Sequence, residues 1–177
     1  MHLFLIGARG SGKSTVGPIL ASRLSVPFAD VDECIESESS MSIAEIFTVE
    51  GEAAFRDREA TMLKRLVSRS PSVISTGGGV VVRPENLDML RTGFVVWLQG
   101  SPEHLWQRIE ADVANRRRRP NLTATGGLEE VRTVLARREP LYRSAADFIV
   151  DATASPESIA DAILQSPAAR AAFTSQE

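Results

Sequence analysis

The sequence predicts an α/β fold in which a parallel sheet is covered by helices on both faces, three layers in all. Two observations predict it. Short apolar runs alternate with helical patterns along the chain, and such alternation builds parallel sheets with both faces buried. A glycine-rich motif, Gly7-Ala8-Arg9-Gly10-Ser11-Gly12-Lys13-Ser14, joins the first run to the first helical pattern. That is the strand–loop–helix setting of the phosphate-binding P-loop.

In chain order the strand-like runs are Leu3–Ile6, Pro27–Asp30, Ser72–Ser75, Phe94–Leu98 and Asp147–Val150. Helical patterns fall near 13–24, 32–38, 42–69, 84–92, 102–114 and 128–144. The first helix is marked by Val16, Ile19, Leu20 and Leu24 at helical spacing. Ser42-x-x-Glu45 reads as a capping box that starts another. Ser101-Pro102-Glu103 and Ser155-Pro156-Glu157 each put proline at a first helical position. The stretch 32–69 is too long for one crossover helix and divides near Gly51. The stretch 115–127, NRRRRPNLTATGG, is polar and broken by Pro120, Gly126 and Gly127. Loops of that length in a phosphate-binding protein are natural lids, and the first insertion is a natural acceptor-binding unit. Residues 1–165 are expected to form one domain, and the Ala- and Ser-rich tail, 166–177, to be frayed.

Composition narrows the function classes. A length of 177 residues with 43% apolar side chains suits a globular domain with a substantial core. The net charge of −3 argues against a general nucleic-acid binder. No apolar run is long enough to span a bilayer, and Leu3–Ile6 is too short for a signal-peptide core, so the expected location is the cytoplasm. A lone Cys34 excludes an internal disulfide and reads as a half-buried small residue. His2 and His104 show no metal-ligand spacing, and Trp97 and Trp106 read as packing residues.

The chemistry concentrates after three of the strands. The P-loop residues Gly7, Ala8, Arg9, Gly10, Ser11, Gly12, Lys13, Ser14 and Thr15 can wrap a phosphate with backbone N–H groups at a helix N-terminus. Lys13 and Lys64 are the only lysines in an arginine-rich chain, which marks position 13 as needing a compact ammonium. Lys13 would bridge phosphates and the Ser14 hydroxyl would meet Mg²⁺. The second strand ends in Asp30-Val31-Asp32; one carboxylate can orient the metal shell and the other can take a proton from an acceptor hydroxyl. An N-cap is the structural alternative for Asp32. Three successive glycines, Gly77, Gly78 and Gly79, follow the third strand and suit backbone contact with a small polar ligand. Arg56 and Arg138 fall on inward helix faces, where a guanidinium needs an anion: a structural carboxylate or a carboxylated substrate. In the run Arg116 to Arg119, at least one side chain can reach a transferring phosphate.

Together these segments resemble the shikimate kinases, nearly end to end. The shared pieces are GxxGxGKST at 7–15, F-x-D-x-D at 28–32, and I-x-E-I-F with GE-x-x-FR-x-x-E at 43–59. TGGG at 76–79, R-P at 119–120 and R-x-P-L-Y at 138–142 complete the set. The resemblance implies a P-loop kinase fold with a five-stranded parallel sheet, an acceptor-binding helical insertion and a lid. It implies ATP-dependent phosphorylation of the shikimate 3-hydroxyl, with Mg²⁺, on the route to aromatic amino acids. It further implies that Lys13, Asp32 and Arg119 are catalytic, and that Ser14 and Asp30 lie at the metal. Arg56 and Arg138 would clamp the shikimate carboxylate. Gly77 to Gly79, Phe47 and Phe55 would line its pocket. The partners expected are the two substrates alone, with no nucleic acid or membrane, and the chain is expected to be a monomer. The sequence departs from the family after Pro120, where Asn121-Leu122-Thr123 stands in place of two leucines. The lid register among Arg116 to Arg119 therefore stays open, and either Arg108 or Arg116 could meet adenine. A kinase for another carboxylated polyol, such as gluconate, or a silent nucleotide-binding regulator, are the competing readings.

Overall fold

A computed structural model describes residues 1–112 and 126–174, the last two by backbone alone. The elements are β1 (Leu3–Ile6), α1 (Lys13–Leu24), β2 (Phe28–Asp30), α2 (Val31–Ser39), α3 (Ile43–Val49) and α4 (Gly51–Val67). Then come β3 (Val73–Ser75), a 3₁₀ turn (Val80–Val82), α5 (Pro84–Leu90), β4 (Phe94–Gln99) and α6 (Pro102–Ala111). Then follow α7 (Gly127–Ala145), β5 (Phe148–Asp151), α8 (Pro156–Gln165) and α9 (Pro167–Thr174). The strands form one parallel sheet in the order β2-β3-β1-β4-β5.

Alternation along the strands separates two apolar layers, because successive side chains leave opposite faces of a sheet. Phe4 and Ile6 of β1, with Val95 and Trp97 of β4, pack toward α2, α4 and α7. Leu3, Leu5, Val96 and Leu98 pack toward α1, α8 and α9. All four β1 side chains are fully buried, as expected for a central strand covered on both sides.

The local signals place the ends of the elements. Ser42 and Glu45 make the reciprocal capping box. Ser101 and Ser155 cap α6 and α8 ahead of their prolines. The long insertion divides as expected into α3 and α4, with Gly51 at φ 88° at the joint. Val73 N–H donates to the Pro27 carbonyl at 2.9 Å, so Pro27 contributes an acceptor to the sheet while the strand itself starts at Phe28.

One expectation is corrected. The tail read as frayed from Ser166 forms α9, on which Ala169 is buried. Ser166 Oγ accepts from Ala169 N–H at 3.1 Å, and an alanine-rich sequence behind a Ser-Pro start favours a helix. The strand order puts β3 between β1, which leads into the P-loop, and β2, which leads into the Asp pair. Right-handed crossovers in opposite directions leave β1 flanked by β3 and β4, which makes the crevice beyond β1 the switch point where ligands bind.

Candidate active site

The C-terminal ends of β1, β2 and β3 converge on one crevice. The P-loop turns tightly there: Gly10 and Gly12 take φ of 83° and 92°, a region that disfavours residues with a Cβ. A Cβ at Gly10 would lie 2.6 Å from the Leu105 carbonyl of α6, so glycine is also required by packing. The Lys13 ammonium is buried over the loop, donating to the carbonyls of Gly7 at 2.7 Å and Ala8 at 3.0 Å and to Ser11 Oγ at 3.2 Å. Ser14 and Thr15, on the first turn of α1, are exposed.

Ser14 Oγ donates to Asp30 Oδ2 at 2.8 Å, bridging the P-loop helix to the end of β2. The other Asp30 oxygen caps α2 by accepting from Asp32 N–H at 3.0 Å and Glu33 N–H at 3.4 Å. The cap is thus Asp30, and Asp32 is left in the first turn of α2 with its buried carboxylate facing a cavity. The hydroxyl and carboxylate of Ser14 and Asp30 are hard oxygen donors of the kind Mg²⁺ takes when most of its shell is phosphate and water. Among the described residues no cluster of three His, Cys, Asp or Glu side chains could hold a metal.

The cavity has a volume of about 460 Å³. Ala8 and Arg9 of the P-loop form one part of its wall; Asp32, Phe47, Phe55, Arg56, Glu59, Gly77, Gly78, Gly79 and Arg138 form another. Every expected acceptor-site residue is therefore in one chamber that opens onto the phosphate loop. Phe47 and Phe55 pack ring to ring with centroids 4.9 Å apart, and the Arg56 guanidinium lies 5.1 Å from the Phe55 centroid. The opposite wall includes Trp106 and Ile109 of α6 and Val131, Val134 and Leu135 of α7, giving the chamber an apolar side. Trp106, read as packing, is half-buried and faces this space.

The electrostatics of the chamber centre on α4. Arg56 Nη1 donates to Glu59 Oε2 at 2.9 Å, and Arg56 Nη2 to the exposed Glu52 at 3.2 Å. Burial works against the charged guanidinium, but pairing with Glu59 and Glu52 outweighs it and holds Arg56 protonated. Glu59 is fully buried, and desolvation pushes its carboxyl above the usual carboxylate range despite the opposing pull of Arg56. The nearby Asp32 charge adds to the upward push. Glu59 is the site residue that inspection of the sequence missed as a functional group, although its place in GE-x-x-FR-x-x-E, one helical turn after Arg56, was the available signal.

After β3 the Arg56 guanidinium lies over Gly79 where a Cβ would go, so a side chain there would have to displace it. A Cβ at Gly77 would lie 2.6 Å from Glu59 Oε1 and 2.9 Å from Asp32 Oδ1. Gly78 packs on the P-loop, and its carbonyl accepts from Arg138 Nη1 at 3.1 Å and from Tyr142 Oη. Arg108 of α6 lies beside Gly12 and donates to the Ala152 carbonyl at 3.3 Å. Arg116, Arg117, Arg118 and Arg119 lie outside the described residues.

A P-loop at the switch point of a parallel sheet, opening onto a chamber with carboxylates and guanidinium groups, defines the class: a P-loop phosphotransferase acting on a small acceptor. The family model for shikimate kinase matches residues 9–167, and the chain belongs to the shikimate kinase family, whose members are ATP-dependent kinases. A shikimate kinase of Rhodopirellula baltica is 44% identical over 151 residues, covering 85% of this chain and 81% of that protein. The structure of shikimate kinase from Acinetobacter baumannii in complex with shikimate is 36% identical, with a TM-score of 0.86 over 93% of this chain and 90% of that one. A gluconokinase from Sinorhizobium meliloti 1021, at 19% identity and a TM-score of 0.61, shares the fold.

Proposed function

We propose that the chain transfers the γ-phosphoryl group of ATP to the 3-hydroxyl of shikimate, giving shikimate 3-phosphate and ADP. One observation carries this reading: Asp32, Arg56, Arg138 and the three glycines line a single chamber whose wall includes P-loop residues. Two guanidinium groups and backbone N–H groups suit a compact acceptor with one carboxylate and several hydroxyls. Gluconate is a carboxylated polyol too. Its kinase shares only the fold with this chain, whereas the shikimate kinase likeness extends to family membership.

The roles follow from position. Arg56 and Arg138 hold the acceptor carboxylate, while Phe47 and Phe55 wall the ring in. This leaves a hydroxyl toward Asp32. As that oxygen bonds to the γ-phosphorus, the bond from phosphorus to the ADP oxygen breaks, and Asp32 takes the hydroxyl proton. Lys13, leaving its loop carbonyls, meets the phosphates and offsets their growing charge. Ser14 and Asp30 would hold Mg²⁺, which when bound neutralises phosphate charge. Either Arg108, which lies beside Gly12, or Arg116 meets adenine. Arg119 is assigned to the phosphates on its sequence match alone.

The enzyme is read as a cytoplasmic monomer. No helix among the described residues is long and apolar enough to cross a membrane, and sedimentation at assay concentration tests the oligomeric state. A coupled assay for ADP with shikimate, gluconate and no acceptor tests the activity, with ³¹P NMR of the product. Turnover on gluconate but not shikimate would replace the acceptor, and no turnover on any would support a silent nucleotide binder.

A further inference from the structure

Tyr142 is the one tyrosine of the chain, and its side chain is fully buried. Its ring stacks on Trp97 of β4, with centroids 5.7 Å apart and planes at 26°. Its hydroxyl donates to the carbonyl of Gly78, which also accepts from Arg138 Nη1 at 3.1 Å. Both lone pairs of that oxygen are therefore engaged. Gly78 is also where the acceptor loop touches the P-loop: a Cβ there would lie 3.4 Å from Arg9 N and 3.5 Å from the Gly7 carbonyl.

The peptide between Gly78 and Gly79 is planar and trans. Aiming its carbonyl at Tyr142 turns the Gly79 N–H away from Tyr142, at a glycine that lines the cavity under the Arg56 guanidinium. Among the described residues this N–H meets no acceptor. The hydroxyl also limits what Arg138 must do. Arg138 commits one N–H to the carbonyl and also interacts with the Tyr142 hydroxyl, and a guanidinium with five N–H donors keeps others for an acceptor.

We propose that Tyr142 is a positioning residue of the acceptor site, fixing the Gly78–Gly79 peptide and sharing its carbonyl with Arg138 so that both donors face the acceptor carboxylate. Trp97 supports it from below, so the setting passes from the sheet through α7 to the loop. This rests on the reading of the chamber as the shikimate site. Tyr142 touches no substrate atom; it acts through Gly78 and Arg138.

Tyr142→Phe removes only the hydroxyl. The expected result is a rise of about tenfold in the KM for shikimate, the size of one lost buried hydrogen bond, with kcat and the KM for ATP within about twofold. Equal rises for both substrates, or an unchanged shikimate KM, would overturn the proposal. Should the variant not fold, a ring-fluorinated tyrosine with a more acidic phenol can be incorporated biosynthetically and labels this position alone. Burial pushes the native phenol up to about 12, so it stays a donor across the assay range. The charged groups facing it are Arg138 on α7 and Arg56 and Glu59 on α4, with Arg143 over the face of Trp97. These are the same in both proteins. The shikimate KM should therefore climb more steeply with pH in the fluorinated protein than in the native one, and parallel profiles would overturn the proposal. If the native protein turns over ATP with no acceptor dependence on shikimate, the functional reading fails instead; if it phosphorylates shikimate and the two modified proteins do so with native KM, only the role of Tyr142 fails.

Discussion

Arg56 and Glu59 form a buried ion pair across one turn of α4, 2.9 Å apart, with the Glu59 side chain fully excluded from solvent. A carboxylate so placed binds its proton more tightly in the folded than in the unfolded protein. Between its ordinary pKa of about 4.3 and its higher folded value, the native state holds more protons than the unfolded state. This contribution to stability is greatest below the unfolded pKa and is lost as pH rises through the folded one. Glu59→Gln should flatten the corresponding part of the melting-temperature profile upward from pH about 4.5. The exposed Glu45, Glu103 and Asp151, whose pKa values are lowered, push the profile the opposite way in both proteins and cancel in the difference. Identical slopes would show that Glu59 does not titrate in this window.

Arg56→Ala and Arg138→Ala should each weaken shikimate binding by about 2–5 kcal/mol, the range for removing one member of a desolvated charge pair, with little change in ATP affinity. Lysine at either position should not restore the loss, because the planar fork is gone. The two differ in stability. Arg56→Ala strands Glu59 and should cost about 3–5 kcal/mol of folding free energy. Arg138→Ala gives up one hydrogen bond to Gly78, about 1 kcal/mol. Calorimetric titration and denaturant melts separate the two effects, and a parallel loss of ATP affinity would reassign the arginines to structure.

Gly79→Ala puts a methyl group where the Arg56 guanidinium lies. Moving that guanidinium also disturbs its bonds to Glu59 and Glu52. Shikimate binding should fall by about as much as in Arg56→Ala, about 2–5 kcal/mol, while ATP binding persists. A variant with native shikimate affinity would show that the clamp does not need this approach.

Lys13→Ala should nearly abolish phosphoryl transfer and leave the fold intact. The loss belongs in kcat, since the ammonium matters most where charge develops on the transferring group. Single-turnover kinetics on a variant with a native circular dichroism spectrum make the check. Turnover near the native rate would remove the P-loop assignment.

Arg119→Ala should reduce turnover more than it weakens shikimate binding, because the partner proposed for it is the transferring phosphate. The same change at Arg116, Arg117 and Arg118 sets the register, and the arginine with the largest kcat effect is the phosphate ligand. Four variants with native turnover would leave the run without a catalytic role.

The local grammar of the chain was legible. The P-loop, Asp30 to Asp32, the glycine triplet and the capping box at Ser42 each lie within a few residues of one strand or helix end, where spacing alone fixes geometry. The five strands and the split of the long insertion at Gly51 were legible for the same reason. The frayed tail was not. Its helix needs Ala169 to find the apolar layer beneath α8, a contact that composition does not encode.

The amino-acid sequence by itself determined the phosphate loop, the acidic pair, the inward placement of Arg56 and Arg138 and the family, since these are fixed by residue type and short spacing. Tertiary structure alone decided that β3 stands between β1 and β2 and that Ser14 reaches Asp30. It also set Arg56 against Glu59, turned Trp106 toward the chamber and joined Tyr142 to Gly78. Apart from the Arg56–Glu59 pair, these contacts join residues far apart in sequence. The Arg56–Glu59 and Tyr142–Gly78 contacts depend on burial, which exists only once the sheet order has brought three strand ends together and removed water from between them.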